Sequence, residues 1–205
     1  MSLYSSKDTQ PFLLSDSAMK AARYSTYENF QPQFSLGPTE LETWKQRIIR
    51  FQTQLRAAPA VQQGSLFTTT SSDTDDSDPF SLRRQNTEFW RWQFDDVGTA
   101  AMYFVIDYAL PNLPLLLYVG ETVKSNQRWK GVHDCKRYLT NYRQSHFENG
   151  LESELAIAFW PHAPEDRKAR QKLESQLIYK WRSPFNKENW RYWNTPFVGG
   201  KDPAQ

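Results

Sequence analysis

The sequence predicts an α+β fold, a small antiparallel-containing β-sheet with flanking helices, and three observations predict it. Two apolar, strand-like runs, 101–108 and 115–119, are separated by Pro111-Asn112-Leu113-Pro114, the pattern of a β-hairpin with a long loop. A further apolar run, Glu154 to Trp160, supplies another strand. Stretches with apolar residues at three- and four-residue spacing lie before and between these runs and mark helices.

Taken in order, residues 1–37 show no clean period, and their scattered aromatics (Tyr4, Phe12, Tyr24, Tyr27) sit among polar residues. Thr39-Glu40-Leu41-Glu42 reads as a capping box opening a helix over 39–56. Its stripe Leu41, Trp44, Ile48, Phe51, Leu55 gives one apolar face, which is expected to dock on the core. Residues 1–56 are thus an N-terminal extension carrying one amphipathic helix. Residues 57–86 turn to Ala, Pro, Gln, Ser, Thr and Asp, a composition too polar to offset its ordering entropy, and read as a flexible linker. Glu88 to Phe94 alternates, with Trp90, Trp92 and Phe94 on one face, as in a half-buried strand. The hairpin follows, with Gly120 ending its second strand. Residues 123–144 read as a basic helix carrying Lys124, Arg128, Lys130, Lys136, Arg137 and Arg143 against Asp134. Pro164 at a first helical position opens another helix to about Arg182, with Leu173, Leu177, Ile178 and Trp181 on its apolar face. Pro184 stops it, and the aromatic tail Trp190-Arg191-Tyr192-Trp193 is expected to cover the sheet. Residues 87–205 form the main domain.

Composition narrows the function. The chain has 205 residues, 39% hydrophobic and 15% aromatic with eight tryptophans, enough to bury a core. The net charge of +2 conceals an asymmetry: residues 97–205 hold fifteen Lys and Arg against eleven Asp and Glu, which is compatible with a polyanion. A single cysteine, Cys135, allows no internal disulfide, and one Cys with three His argues against a Cys/His zinc site. The sequence shows no signal pattern and no membrane span, so a soluble, cytoplasmic protein is expected, nucleoid-associated if bacterial.

Five segments in order carry a resemblance: Ala101-Met102-Tyr103, Tyr118-Val119-Gly120, Arg128-Trp129-Lys130, Glu174-Ser175-Gln176-Leu177-Ile178 and Pro184-Phe185-Asn186. Together, over about residues 99–190, they resemble the GIY-YIG nuclease family. The glutamate, the Leu-Ile pair, the proline and the asparagine resemble the form in the bacterial excision-repair incision subunit. The resemblance implies an endonuclease hydrolysing DNA phosphodiesters, with Glu174 holding Mg²⁺ or Mn²⁺ among waters and phosphate oxygens. It implies that Tyr103 or Tyr118 helps deprotonate the attacking water, with Tyr103 favoured. Arg128 can bind the scissile phosphate bidentately, and Asn186 is expected to support the site or orient a strand. Four residues after the arginine, where many members have His, Tyr or Lys, this chain has Val132. His133 follows one later, rotated roughly 140° from Arg128 in an ideal helix, so it is the weakest member of the catalytic set. Ala101 and Met102 stand where the first motif has Gly and Ile, which leaves the tyrosine in place. Lys124, Lys130, Lys136 and Arg137, interleaved with aromatics, form a candidate DNA-backbone track.

Within the polar linker, Gln63-Gly64-Ser65-Leu66-Phe67 resembles the pentapeptide by which bacterial replication and repair proteins bind the DNA sliding clamp. Leu66 and Phe67 would fill an apolar pocket while Gln63 bonds at its rim and Ser65 takes the small third position. Clamp recruitment in repair or recombination is the corresponding expectation. The alternatives are a catalytically impaired nucleic-acid-binding module of the same fold, and a restriction-type enzyme with its own sequence specificity.

Overall fold

The computed structural model describes residues 36–57, 78–87, 100–110, 112–123 and 134–198, all within one compact unit. Helix α1 (Pro38–Ala57) is followed by β1 (Arg84–Asn86), β2 (Ala101–Asp107), β3 (Leu115–Thr122), α2 (Asp134–Glu148), β4 (Leu155–Trp160), α3 (Arg167–Trp181) and the short α4 (Trp190–Trp193). The four strands form one sheet in the order β1-β4-β2-β3, every pair antiparallel. The strand expected over 88–94, the first half of the basic helix (124–133) and the pentapeptide 63–67 lie outside the described residues.

Strand β2 is buried along its whole length because both sheet faces are covered. Successive side chains point to opposite faces. Tyr103 and Val105 face a layer built by α1 (Leu41, Trp44, Ile48), α2 (Tyr138, Tyr142) and the C-terminal segment (Phe185, Trp193, Phe197). Met102, Phe104 and Ile106 face α3 through Leu173, Leu177, Ile178 and Trp181. The stripe on α1 thus docks on the core, widened by Ile49 and by the buried, polar Gln52. Lys45 anchors the same helix to Asp107 at 2.9 Å, and the Trp44 indole donates to Trp193 O at 3.1 Å. The aromatic tail covers this layer, with Phe51 and Trp193 packed edge to face at 5.8 Å.

Several boundaries differ from the sequence expectation: α1 begins at Pro38, where Glu40 rather than Glu42 closes the first turn by accepting from Gly37 N at 2.7 Å, and α2 runs past 144 to Glu148. The polar stretch ends before residue 86, because Arg84, Gln85 and Asn86 pair with Ala158, Ile157 and Ala156 on the β4 edge. Backbone pairing needs no apolar side chain, so all three residues stay exposed and the pattern carries no strand signal. Strand β3 runs past Gly120 to Thr122, pairing Glu121 with Met102 and Thr122 with Ala101. Helix α3 starts at Arg167, not Pro164: Asp166 is extended and its carboxylate accepts from Ala169 N at 2.8 Å, which makes it the N-cap. The Pro164 and Glu165 carbonyls instead accept from the Arg170 guanidinium, 3.0 Å each.

Strand β3 is a sheet edge, and its backbone is met by groups from elsewhere. Gln52 brackets Leu116, accepting from its N–H at 2.9 Å and donating to its carbonyl at 3.0 Å. Between Val105 and Ile106 the register slips, and Leu117 O accepts from Phe185 N at 2.9 Å. Asn186 holds both backbone groups of Val119.

Candidate active site

Tyr103 and Tyr118 share a sheet face as diagonal neighbours, since Tyr103 pairs with Gly120 and Val105 with Tyr118. Their rings stack at 5.9 Å and 24°. The stacking depends on Gly120. A Cβ built there would lie 2.3 Å from Tyr103 Cζ and 2.4 Å from its hydroxyl oxygen. The glycine of the second motif is therefore the gap across which the first motif's tyrosine lies.

At the β3 edge, where the two helical layers meet, a cleft of about 460 Å³ opens. Tyr118 from β3, Glu174 and Ser175 from α3, Asn186 and Lys187 from the following turn, and Asp134 and Tyr138 from α2 line it. Tyr118 and Glu174 interact: burial first, then Tyr103, Cys135 and the Glu174 charge, push the Tyr118 phenol far up, and a hydrogen bond with Tyr103 adds to this. Tyr118 is therefore a protonated phenol at neutral pH. Tyr103, favoured from sequence as the base, is fully buried behind it, whereas Tyr118 reaches the cleft. The reason is the strand order, which puts Tyr103 on the interior strand β2 and Tyr118 on the edge strand β3.

Glu174 projects from the α3 face shared with Arg170, one turn earlier. Arg170, a potential partner for Glu174, is held by Glu121 at 2.5 Å. That ion pair fixes α3 against the end of β3, and with it the separation of Glu174 from Tyr118. Asn186 is buried. Its Oδ1 accepts from Val119 N at 3.0 Å and from Ser183 Oγ at 2.6 Å, and its Nδ2 donates to Val119 O at 2.9 Å. It clamps β3 at the residue after Tyr118. Asp134 lies at the cleft mouth, 3.5 Å from Lys187 and 3.4 Å from Arg137, whose guanidinium also stands over the Tyr138 ring. Lys136 is half-buried on the same helix. Arg128, His133, Lys124 and Lys130 lie outside the described residues, as do Gln63, Ser65, Leu66 and Phe67.

The family model for the GIY-YIG catalytic domain matches residues 103–189. Residues 103–189 belong to the GIY-YIG nuclease family. The match starts within β2, ends after Asn186 and contains every described lining residue of the cleft. It leaves out α1 and residues 190–198, both of which pack into the core around the matched residues through Leu41, Trp44, Ile48, Trp193 and Phe197. Searches of curated proteins and of solved structures each found no match. The α+β architecture, an antiparallel sheet flanked by helices, is that of the GIY-YIG fold. The match to this catalytic domain implies, for residues 103–189, nuclease activity in general. Among the described residues no helix is long and apolar enough to cross a membrane.

Sequence reasoning passed over Gln52, Ser183 and the Glu121–Arg170 pair. Ser183 stands three residues before Asn186 in a Ser-Pro-Phe-Asn turn, a local pattern that could have flagged it. Nothing in the sequence pairs Glu121 with Arg170 or Gln52 with Leu116, because these contacts span 49 and 64 residues.

Proposed function

We propose that the protein is a divalent-metal-dependent DNA endonuclease that hydrolyses phosphodiester bonds at the β3-edge cleft. The observation that carries this reading is the convergence of Glu174 and Tyr118 on one cleft. The donor set suits a hard ion. Glu174 is a half-buried carboxylate on the cleft wall, and among the described residues no three His, Cys, Asp or Glu side chains cluster tightly enough to cage a metal. Mg²⁺ binds in such settings through one or two carboxylates, keeping its waters and taking phosphate oxygens. Glu174 would hold it. Bound there, Mg²⁺ or Mn²⁺ supplies Lewis acidity at the phosphate and a lowered pKa for water.

The protein groups do the positioning. Tyr118, held as a phenol, offers a hydroxyl to the attacking water or a phosphate oxygen. Loss of its proton is opposed by burial and by the neighbouring Tyr103, Cys135 and Glu174, so Tyr118 orients the water before it can act as base. Asn186 and Ser183 hold the strand that carries Tyr118. Lys187, mostly exposed at the mouth, offers a charge to the phosphate backbone. Arg128 completes the reading as a bidentate ligand of the scissile phosphate, with His133 subordinate and Lys124, Lys130, Lys136 and Arg137 along the backbone. Recruitment by the sliding clamp through Gln63, Ser65, Leu66 and Phe67, in cytoplasmic DNA repair or recombination, rests on the sequence of that pentapeptide.

The decisive experiment is Glu174→Gln assayed for Mg²⁺- or Mn²⁺-dependent nicking of supercoiled DNA. Cleavage should be abolished with folding and DNA binding intact. Cutting at the wild-type rate would overturn the reading.

A further inference from the structure

Helix α3 carries Arg167, Lys168, Arg170, Lys172 and Lys180 against one acid, Glu174. Just beyond it, Arg182 takes a left-handed conformation, with φ 49°. Its guanidinium carbon sits 4.7 Å from the centre of the Tyr179 ring and 5.1 Å from that of Tyr192. Both tyrosines stay open to solvent, 62% and 51% exposed. If the arginine merely shielded the rings from water, they would be covered. Arg182 donates to Asn189 Oδ1 at 3.5 Å, and among the described residues no carboxylate pairs with it.

The position of this cluster relative to the cleft matters. Ser175 and Tyr179 fall at i and i+4 on one face of α3, and Arg182, just past the helix end, turns its guanidinium back over the Tyr179 ring. Ser175 lines the cleft beside Glu174. The stripe therefore leads out of the cleft wall along α3. Tyr179 lies about 6 Å along the axis from Ser175, at roughly 1.5 Å per residue. That is about two nucleotide steps at roughly 3.4 Å each.

We propose that Tyr179, Arg182 and Tyr192 form a stacking platform for unpaired bases of the DNA strand flanking the scissile phosphate. This rests on the nuclease reading of the cleft. Every base offers a flat π-face to a tyrosine, so the platform is sequence-tolerant. The guanidinium adds a cation–π contact and a charge within reach of the backbone. The substrate class is DNA with single-stranded character next to the cut, such as a flap, a bubble or a fork, in preference to uninterrupted duplex.

The test uses the full-length protein without divalent metal, so that nothing is cut, and fluorescence anisotropy of a labelled oligodeoxynucleotide, single-stranded or annealed. Tyr179→Ala with Tyr192→Ala should weaken single-strand binding by about tenfold or more, from the loss of base stacking. The paired Tyr→Phe variants should bind like wild type, because the ring and not the hydroxyl stacks. Tyr192 also packs on Phe51 and Trp193, so Tyr179→Ala alone carries the test if the double variant melts early. Wild-type single-strand affinity in Tyr179→Ala, or an equal loss on duplex and single strand, overturns the proposal. Glu174→Gln separates the two readings. If it still cuts, the nuclease reading of the cleft fails; if it is inactive while Tyr179→Ala binds normally, only the platform fails.

Discussion

Gly120→Ala tests how the tyrosine pair is built. A methyl at this position meets Tyr103 Cζ at 2.3 Å, its hydroxyl oxygen at 2.4 Å and Cε1 at 2.7 Å, distances that real Cβ contacts do not tolerate. Tyr103 is fully buried and stacked on Tyr118, with Phe159 tilted at 6.1 Å beyond it, so its ring has no open space to move into. Overpacking of this kind costs about 1–3 kcal/mol. Near the melting temperature each kcal/mol corresponds to roughly 2–4 °C for a chain of this size. Gly120→Ala should therefore melt about 2–12 °C below wild type and lose most of its cleavage rate, because Tyr118 loses its stacking partner. The decisive measurement is a double-mutant cycle with Tyr103→Leu, which removes the three clashing atoms. In that background Gly120→Ala should cost little, leaving a coupling of about 1 kcal/mol or more between the sites. Equal costs of Gly120→Ala in both backgrounds would refute the steric account of the glycine.

Gln52→Leu strips partners from Leu116 N, Leu116 O and Trp181 O at once; at about 1–3 kcal/mol per buried unsatisfied group, chemical denaturation should show at least about 2 kcal/mol lost. Asn186→Ala frees Val119 at the β3 edge, so hydrogen exchange at Val119 should rise and kcat should fall more than DNA affinity, a split that an unchanged strand would not produce. His146 gives a pH test. Its Nδ1–H donates to Tyr142 O at 2.7 Å, leaving Nε2 to accept from Lys45 at 3.1 Å. Burial and then Lys45 pull its pKa from 6.5 down to about 4, against smaller opposing effects from Tyr142 O and Asp107. The unfolded chain thus binds the proton first, so stability is fully present above pH 6.5 and declines as pH falls towards 4. Below that window Asp107, whose pKa is lowered by Lys45 and Tyr142 against its burial, continues the decline. Denaturation curves should lose about 3 kcal/mol from His146 across the window, and His146→Gln should flatten that part of the profile.

Local pattern sufficed for much of this protein. The period of Leu41, Trp44 and Ile48 gave α1, the Leu173, Leu177, Ile178 and Trp181 face gave α3, and two apolar runs about a proline-rich break gave the hairpin. These are signals carried within a few residues, where 3.6- and 2-residue periods report a buried face directly. The motif segments also singled out Tyr118, Glu174 and Asn186, which the fold brings to one cleft. What the sequence could not carry is whatever depends on residues far apart in the chain. The exposed β1 strand exists only because β4 offers it an edge. Asp166 overrides Pro164 as the start of α3 because Arg170, turned towards Glu121, takes the carbonyls of residues 164 and 165. That Tyr118 and not Tyr103 lines the cleft follows from strand order, edge against interior, which a single strand does not encode. The platform of Tyr179, Arg182 and Tyr192 joins a helix end to a tail residue ten positions on, and only packing brings them together.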